Sequence, residues 1–241
     1  MIELSGISCS YGDGDVLSDL DLVIPRGASV AIIGPNGCGK STLLKLLNGL
    51  VAARAGSYRF DGVAITAARL KDPRFSKRFH QRIGLLFQNA DAQLFCPEVR
   101  EEIAFGPRQM GLDEGEVERR VEDCLDLLGI RKLRGRVPYH LSEGEKRKVA
   151  LAAALALDPE VLVLDEPMNG LDPRMKHFLR DLLLALNAAG KTLLCSTHDF
   201  EYVEGAFRTA VVLGEDHRLA RTGPYGDIIR DRAFLWAQNI V

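Results

Sequence analysis

The sequence predicts an α/β fold: a mainly parallel sheet with an antiparallel β part and an inserted α-helical segment. Three observations predict it. Apolar strand-like runs alternate with amphipathic helical stretches along the chain. One such run, Ser29–Ile33, stops at a glycine-rich turn that leads into a helix. Another, Val161–Leu164, ends on the paired carboxylates Asp165 and Glu166. With 241 residues the chain can bury about 70–75% of its unfolded surface, so it needs neither disulfides nor a structural metal.

Taken in order, Leu20, Leu22 and Ile24 alternate with Asp19, Asp21 and Val23, the period of a half-buried strand. Ser57–Ile65 reads as a hairpin, because Asp61-Gly62 in its middle supplies the positive φ of a tight turn. Ile83–Phe87 reads as a further strand. From Glu98 to Leu157 the pattern becomes helical, with Val117, Val121, Cys124, Leu125 and Leu128 on one apolar face. Val161–Leu164 shows no alternation, as in a strand covered on both sides. Met175, Phe178, Leu179, Leu182 and Leu186 repeat the helical period, and Thr192–Ser196 supplies the next strand. No repeat, linker or low-complexity tract stands out. The expectation is one domain over residues 1–241, with a core of 1–88 and 159–241 and an inserted helical subdomain of 89–158.

Composition excludes several classes. Hydrophobic residues at 46% and charged residues at 27% fit a folded globular chain rather than a disordered or collagen-like one. Lys+Arg 31 against Asp+Glu 33 leaves no basic excess to grip a phosphate backbone, so no nucleic-acid partner is expected. The longest purely apolar stretch, Val149–Leu157, falls far short of the roughly 20 residues of a membrane span. The start, MIELSGIS, has an early acid and no basic region before an apolar one, so it is not read as a secretory signal. Cys9, Cys38, Cys96, Cys124 and Cys195 are odd in number and scattered, which suits reduced thiols of a cytosolic protein.

Gly34-Pro35-Asn36-Gly37-Cys38-Gly39-Lys40-Ser41-Thr42 fits G-x-x-x-x-G-K-[ST], and it lies between an apolar strand and a helix starting at Leu43 and Leu44. Its glycines let backbone N–H groups approach phosphates, and the helix N-terminus adds about half a positive charge. Lys40 is expected to reach the β- and γ-phosphates and Ser41 to ligate Mg²⁺. Asp165 is expected to hold Mg²⁺, usually through water, and Glu166 to polarise the attacking water as general base. Alone, the first motif could be a glycine turn and the second a buried strand ending in two surface acids. Together they imply nucleoside triphosphate hydrolysis, without saying what it drives.

Leu141-Ser142-Glu143-Gly144-Glu145, followed by Lys-Arg-Lys-Val-Ala-Leu-Ala, lies shortly before the carboxylate strand. At these residues the chain resembles the ATP-binding-cassette ATPases, and the resemblance covers nearly its whole length. It implies that Tyr11 stacks on adenine and that Leu141, Ser142, Glu143, Gly144 and Glu145 form the signature motif. Gln88 matches the hinge glutamine, a Mg²⁺ and catalytic-site residue. Gly170, Leu171 and Asp172 match the dimer-interface loop after the carboxylates, and His198 the switch histidine. In that family two cassettes bind head to tail, each ATP lying between one phosphate loop and the partner's signature helix. A helix starting near Ser142 offers free N–H groups to such a phosphate. Two positions depart from the pattern. Glu143 stands where glycine is commonest, and its carboxylate would repel a γ-phosphate unless it points away; Met168 stands where Thr or Ser is usual.

A narrower resemblance lies in Gln88-Asn-Ala-Asp91-Ala-Gln93-Leu94-Phe95-Cys-Pro97-Glu-Val99 and Glu101-Glu102-Ile-Ala-Phe105-Gly106-Pro107. It is similar to the cobalt and nickel branch of the energy-coupling-factor importers, with Ala90 replacing a proline of Q-N-P-D-x-Q-L-F. The resemblance implies docking of a transmembrane coupling protein on Gln93, Leu94, Phe95 and Phe105; packing within the subdomain is the alternative. The implied protein is an ATPase using ATP and Mg²⁺, peripheral on the cytoplasmic side of the cell membrane. It would power cobalt or nickel uptake with a coupling protein, a substrate-binding membrane component and a second ATPase copy, without touching the cargo. A homodimer is favoured, because Lys40, Ser142, Glu166 and His198 all occur in one chain. After Gly223–Ile229 little length remains for the C-terminal extension that helps hold such copies together. The five histidines show no ligand spacing, so Mg²⁺ on ATP is the nearest expected metal. A vitamin importer sharing the energy module, a non-transport cassette ATPase and a small-molecule kinase are the alternatives.

Overall fold

Strands buried on one face and strands buried on both separate into two sheets. The computed structural model describes residues 1–11 and 14–241, the side chain of Tyr11 excepted. The first elements are β1 (Ile2–Tyr11), β2 (Gly14–Ile24), β3 (Ser29–Ile33), α1 (Lys40–Leu47), β4 (Ala55–Phe60) and β5 (Val63–Ala64). Next come α2 (Ala67–Leu70), α3 (Pro73–Arg82), β6 (Ile83–Leu86), α4 (Val99–Gln109), α5 (Glu114–Leu127) and α6 (Glu143–Leu155). The chain continues through β7 (Val161–Asp165), α7 (Pro173–Ala188), β8 (Thr192–Ser196), β9 (Thr209–Leu213), β10 (Leu219–Pro224), α8 (Tyr225–Arg230) and α9 (Arg232–Ala237).

The smaller sheet, in the order β2-β1-β4-β5, is antiparallel. The larger runs β10-β9-β3-β8-β7-β6 and is parallel except for its β10 edge. In β2, Leu20, Leu22 and Ile24 are buried while Asp19, Asp21 and Val23 are exposed, as their alternation requires. β3, β7 and β8 are buried at every position. Their alternate residues feed two cores. Ala31, Ile33, Leu162, Leu164 and Cys195 face the core shared with α4–α7. Val30, Ile32, Val161, Val163 and Leu194 face the one shared with α1 and the antiparallel sheet.

The local expectations hold at the other elements read from the sequence. Asp61 (φ 48°) and Gly62 (φ 74°) make the β4–β5 turn. Val117, Val121, Cys124, Leu125 and Leu128 are buried along and just beyond α5. Cys9, Cys38, Cys124 and Cys195 are buried free thiols. Met168 is 1% exposed, so packing accounts for an apolar residue there. Among the described residues no helix is long and apolar enough to cross a membrane.

Several elements escape the sequence reading. The buried residues of β1 are Ile2, Leu4, Ile7 and Cys9. A bulge between Leu4 and Ile7, at Gly6, shifts the period by one residue. α3 buries only Phe79, too little for a helical stripe to register, though Asp72 caps it and Pro73 opens it. The terminal β9, β10, α8 and α9 also lie outside the strands and helices expected.

Register is what assembles the site. Leu86 pairs with Leu164, Asp165 with Ser196, and Ser196 with Ile32. The carboxyl ends of β6, β7, β8 and β3 therefore lie in one row, and the loops leaving them share one edge of the sheet.

Candidate functional site

The loop after β3 is shaped by close backbone approach. Gly39 has φ 107°, and a Cβ there would stand 2.3 Å from the Val16 carbonyl oxygen. A Cβ on Gly34 would meet the Leu213 carbonyl oxygen at 2.5 Å. Gly39 caps α1 with no side-chain acceptor, so the first N–H groups of that helix stay open to an anion. Lys40 is buried, and its Nζ donates to the carbonyls of Gly34 (2.8 Å) and Pro35 (2.9 Å). Burial pushes the Cys38 thiol up from its ordinary range, which makes it a packing residue rather than a nucleophile.

At the end of β7, Asp165 and Glu166 are each 7% exposed. Ser196, at the paired end of β8, organises both: its Oγ donates to Asp165 Oδ1 (2.7 Å) and accepts from the Glu166 N–H (2.8 Å). Glu166 has φ 46°, a left-handed conformation that costs a non-glycine residue about 1–3 kcal/mol and that clusters at functional sites. Its Oε2 accepts from the His198 backbone N–H (3.3 Å). Its Oε1 is buried without a hydrogen-bond partner, although His198 Nε2 lies 3.2 Å away, out of line for a hydrogen bond. Burial raises the Glu166 carboxyl above the usual range, against the opposing charge of Lys40. Burial and the same lysine lower the His198 imidazole, so the neutral ring is favoured. A buried carboxylate with a free oxygen and elevated proton affinity is equipped to accept a proton from water.

Lys40, Glu166 and His198 line one cavity of about 350 Å³, whereas Asp165 and Ser196 are not part of its lining. Asn36, Gly37, Gly39, Lys40, Ser41 and Thr42 line it together with Gln88, Glu166 and His198. Val16 and Asn169 also line it, and the sequence reading passed over both. Ser196 was missed as well. Only strand register reveals that its hydroxyl lies between the two acids.

The signature residues lie elsewhere. Ser142 caps α6 and shares a reciprocal capping box with Glu145, whose Oε2 accepts from the Ser142 N–H (3.1 Å). Leu141 is buried behind it. The Glu143 side chain is 67% exposed and reaches toward Lys146 at 4.0 Å. Ser142, Gly144, Glu145 and Asp172 line a second concavity of about 220 Å³ that shares no residue with the first. Asp172 caps α7 by accepting from the Met175 N–H (2.9 Å); Gly170 has φ 71° and Leu171 is buried. Tyr11 ends β1, and its side chain lies outside the described residues.

A family model described as "ABC transporter" matches residues 17–169. The chain belongs to that family. It is an ABC ATPase: a nucleotide-binding, ATP-hydrolysing module of a transporter. The nickel import ATP-binding protein LarO of Lactiplantibacillus plantarum is 46% identical to it over 219 residues, 91% of each chain. The energy-coupling factor transporter ATP-binding protein EcfA of Methanothermobacter thermautotrophicus is 44% identical, over 98% of this chain and 74% of that one. Among solved structures, cbiO1 of Clostridium perfringens, part of the ABC transporter complex cbiONQ, superposes with a TM-score of 0.84 at 32% identity. That match covers 99% of this chain and 94% of the other. The chain is thus an ABC transporter ATP-binding subunit closely related to the energy-coupling-factor ATPases of cobalt and nickel import.

In this ABC ATPase the segment after Gln88 divides by role. The Gln93 amide is used internally, donating to the Leu85 carbonyl (3.1 Å) and accepting from the Phe87 N–H (3.3 Å). Leu94 packs against the core. Phe95 is 67% exposed and Phe105 42% exposed, their rings perpendicular with centroids 4.9 Å apart. Together with Leu50, Phe87 and Leu157 they border an apolar groove of about 270 Å³.

Proposed function

We propose that this ATPase is the subunit that powers uptake of a metal ion, cobalt or nickel, through membrane partner proteins. The exposed Phe95–Phe105 edge carries this reading, because it offers an apolar docking surface whose lining residue Phe87 immediately precedes Gln88 of the hydrolysis cavity. The metal cargo is supported by the name of the Lactiplantibacillus plantarum relative, a nickel import ATP-binding protein. Residues 89–158 would act as the helical subdomain bearing both that edge and the signature. The chain would sit peripherally at the cytoplasmic face.

The residues present fit ATP and Mg²⁺. A glycine cradle too tight for a Cβ, an uncapped helix start, a buried lysine and an unpartnered carboxylate oxygen all meet at one cavity. The loop N–H groups and Lys40 hold the phosphates, and Thr42 closes the cradle. Ser41, Gln88 and Asp165 hold Mg²⁺, which when bound neutralises charge on the phosphate oxygens. Glu166 takes the proton of the attacking water, and His198 fixes that carboxylate. Tyr11 supplies the adenine face. The separation of Ser142, Gly144 and Glu145 from the phosphate cavity favours a second copy of the chain, each signature completing the other copy's site, with Gly170, Leu171 and Asp172 between them. With Glu143 turned toward Lys146, the N–H groups of Glu143 and Gly144 at the start of α6 stay available despite the departure from glycine, while that of Glu145 is taken by the Ser142 cap.

Docking is tested by Phe95→Ser combined with Phe105→Ser. Each ring buried against a partner contributes about 1.5–3 kcal/mol, so co-purification with the membrane components in mild detergent should fall by at least tenfold. Undiminished co-purification would place the docking surface elsewhere.

A further inference from the structure

Arg147 lies on α6, five residues after Ser142, and is only 5% exposed. Its Nη1 donates to the carbonyls of Glu166 (3.1 Å) and Pro167 (2.9 Å), and its Nη2 to the carbonyl of Gln88 (3.0 Å). Its Nε is buried without a partner, and none of its hydrogen bonds among the described residues goes to a carboxylate. A buried guanidinium hydrogen-bonded only to carbonyls is a costly way to fill space, and an apolar side chain would pack there at lower cost. The carbonyls it gathers belong to two loops, each of which contributes a side chain, Gln88 or Glu166, to the lining of the phosphate cavity. One of them is that of Glu166, whose left-handed backbone is strained. Ser196 holds that residue by its N–H, and Arg147 holds it by its carbonyl. The planar fork spans both loops at once, which a point donor cannot do.

We propose that Arg147 is a positioning residue for hydrolysis, its fork locking the Glu166 turn against the Gln88 loop so that both side chains meet over the phosphates. The inference rests on the reading of Glu166 as general base. The side chain touches no reacting atom and acts through the backbone alone.

The test uses Arg147→Met and Arg147→Lys in the full chain, with steady-state ATP hydrolysis and ATP affinity measured separately. Misplacing a catalytic group by about 1 Å can cost a hundredfold, so R147M should lower kcat by about that factor while ATP affinity is retained. R147K keeps the charge but not the fork and should recover part of the loss. Arg120→Ala serves as the control for a lost arginine–carbonyl bond away from the site. Arg120 donates to the Ala156 carbonyl (2.8 Å) and to Glu116, so its loss should lower the melting temperature and leave kcat unchanged. Native kcat in R147M and R147K overturns the proposal, as does a parallel fall of kcat, affinity and melting temperature in R147K. If R147M does not fold, R147K alone decides. Glu166→Gln, measured alongside, separates the two readings. Full activity in that variant removes the assigned base, whereas an inactive Glu166→Gln beside fully active Arg147 variants removes only the positioning role.

Discussion

Glu166→Gln is expected to bind ATP as the native chain does and to lose steady turnover by about 10²–10⁴-fold, the contribution of a positioned general base. The substitution keeps the size and polarity of the side chain and removes only its capacity to take a proton. The site makes this a clean loss. Glu166 Oε1 is buried and unpartnered, its carboxyl is raised by burial, and no other free carboxylate oxygen lines the cavity among the described residues. Because binding survives while reopening does not, ATP should accumulate a pair of chains. Phosphate release and size-exclusion chromatography with and without ATP measure the two effects. Undiminished hydrolysis would remove Glu166 from the role.

Lys40→Ala is expected to weaken ATP binding by about 10–100-fold. A hydrogen bond to a charged group is worth about 1.5–3 kcal/mol, and each 1.4 kcal/mol is tenfold in affinity. In this structure the ammonium is folded onto the Gly34 and Pro35 carbonyls, which keeps it at the phosphate loop. The loop N–H groups and the start of α1 survive the change, so residual binding is expected. Nucleotide titration checks it, and unchanged affinity would count against the cradle.

How much was legible depended on whether the determinant was local. The strand, glycine turn and helix of residues 29–47 form one continuous stretch, and the same holds for Val161–Glu166; both could be read without tertiary information. β1 could not, because the bulge at Gly6 shifts its buried face midway. α3 could not, because a helix burying one phenylalanine carries no stripe. The site divides in the same way. Lys40 and Glu166 stand inside motifs. Ser196 and Arg147 act through neighbours 30 and 19 residues away from them along the chain, and only register and helix packing bring them there. Side-chain direction was equally out of reach. Glu143 carries the same letter whether it faces a phosphate or Lys146, and Gln93 the same letter whether it docks a partner or pins its own loop.

The decisive measurement is uptake. The chain and the membrane proteins that co-purify with it would be reconstituted in liposomes. ATP-dependent entry of labelled Ni²⁺ and Co²⁺ would then be followed beside the Glu166→Gln variant. The predicted result is uptake of one or both metals that is abolished in the variant. A complex that hydrolyses ATP yet moves neither metal would contradict the metal cargo and make a vitamin the next candidate; failure to retain any membrane partner would contradict the transport role itself.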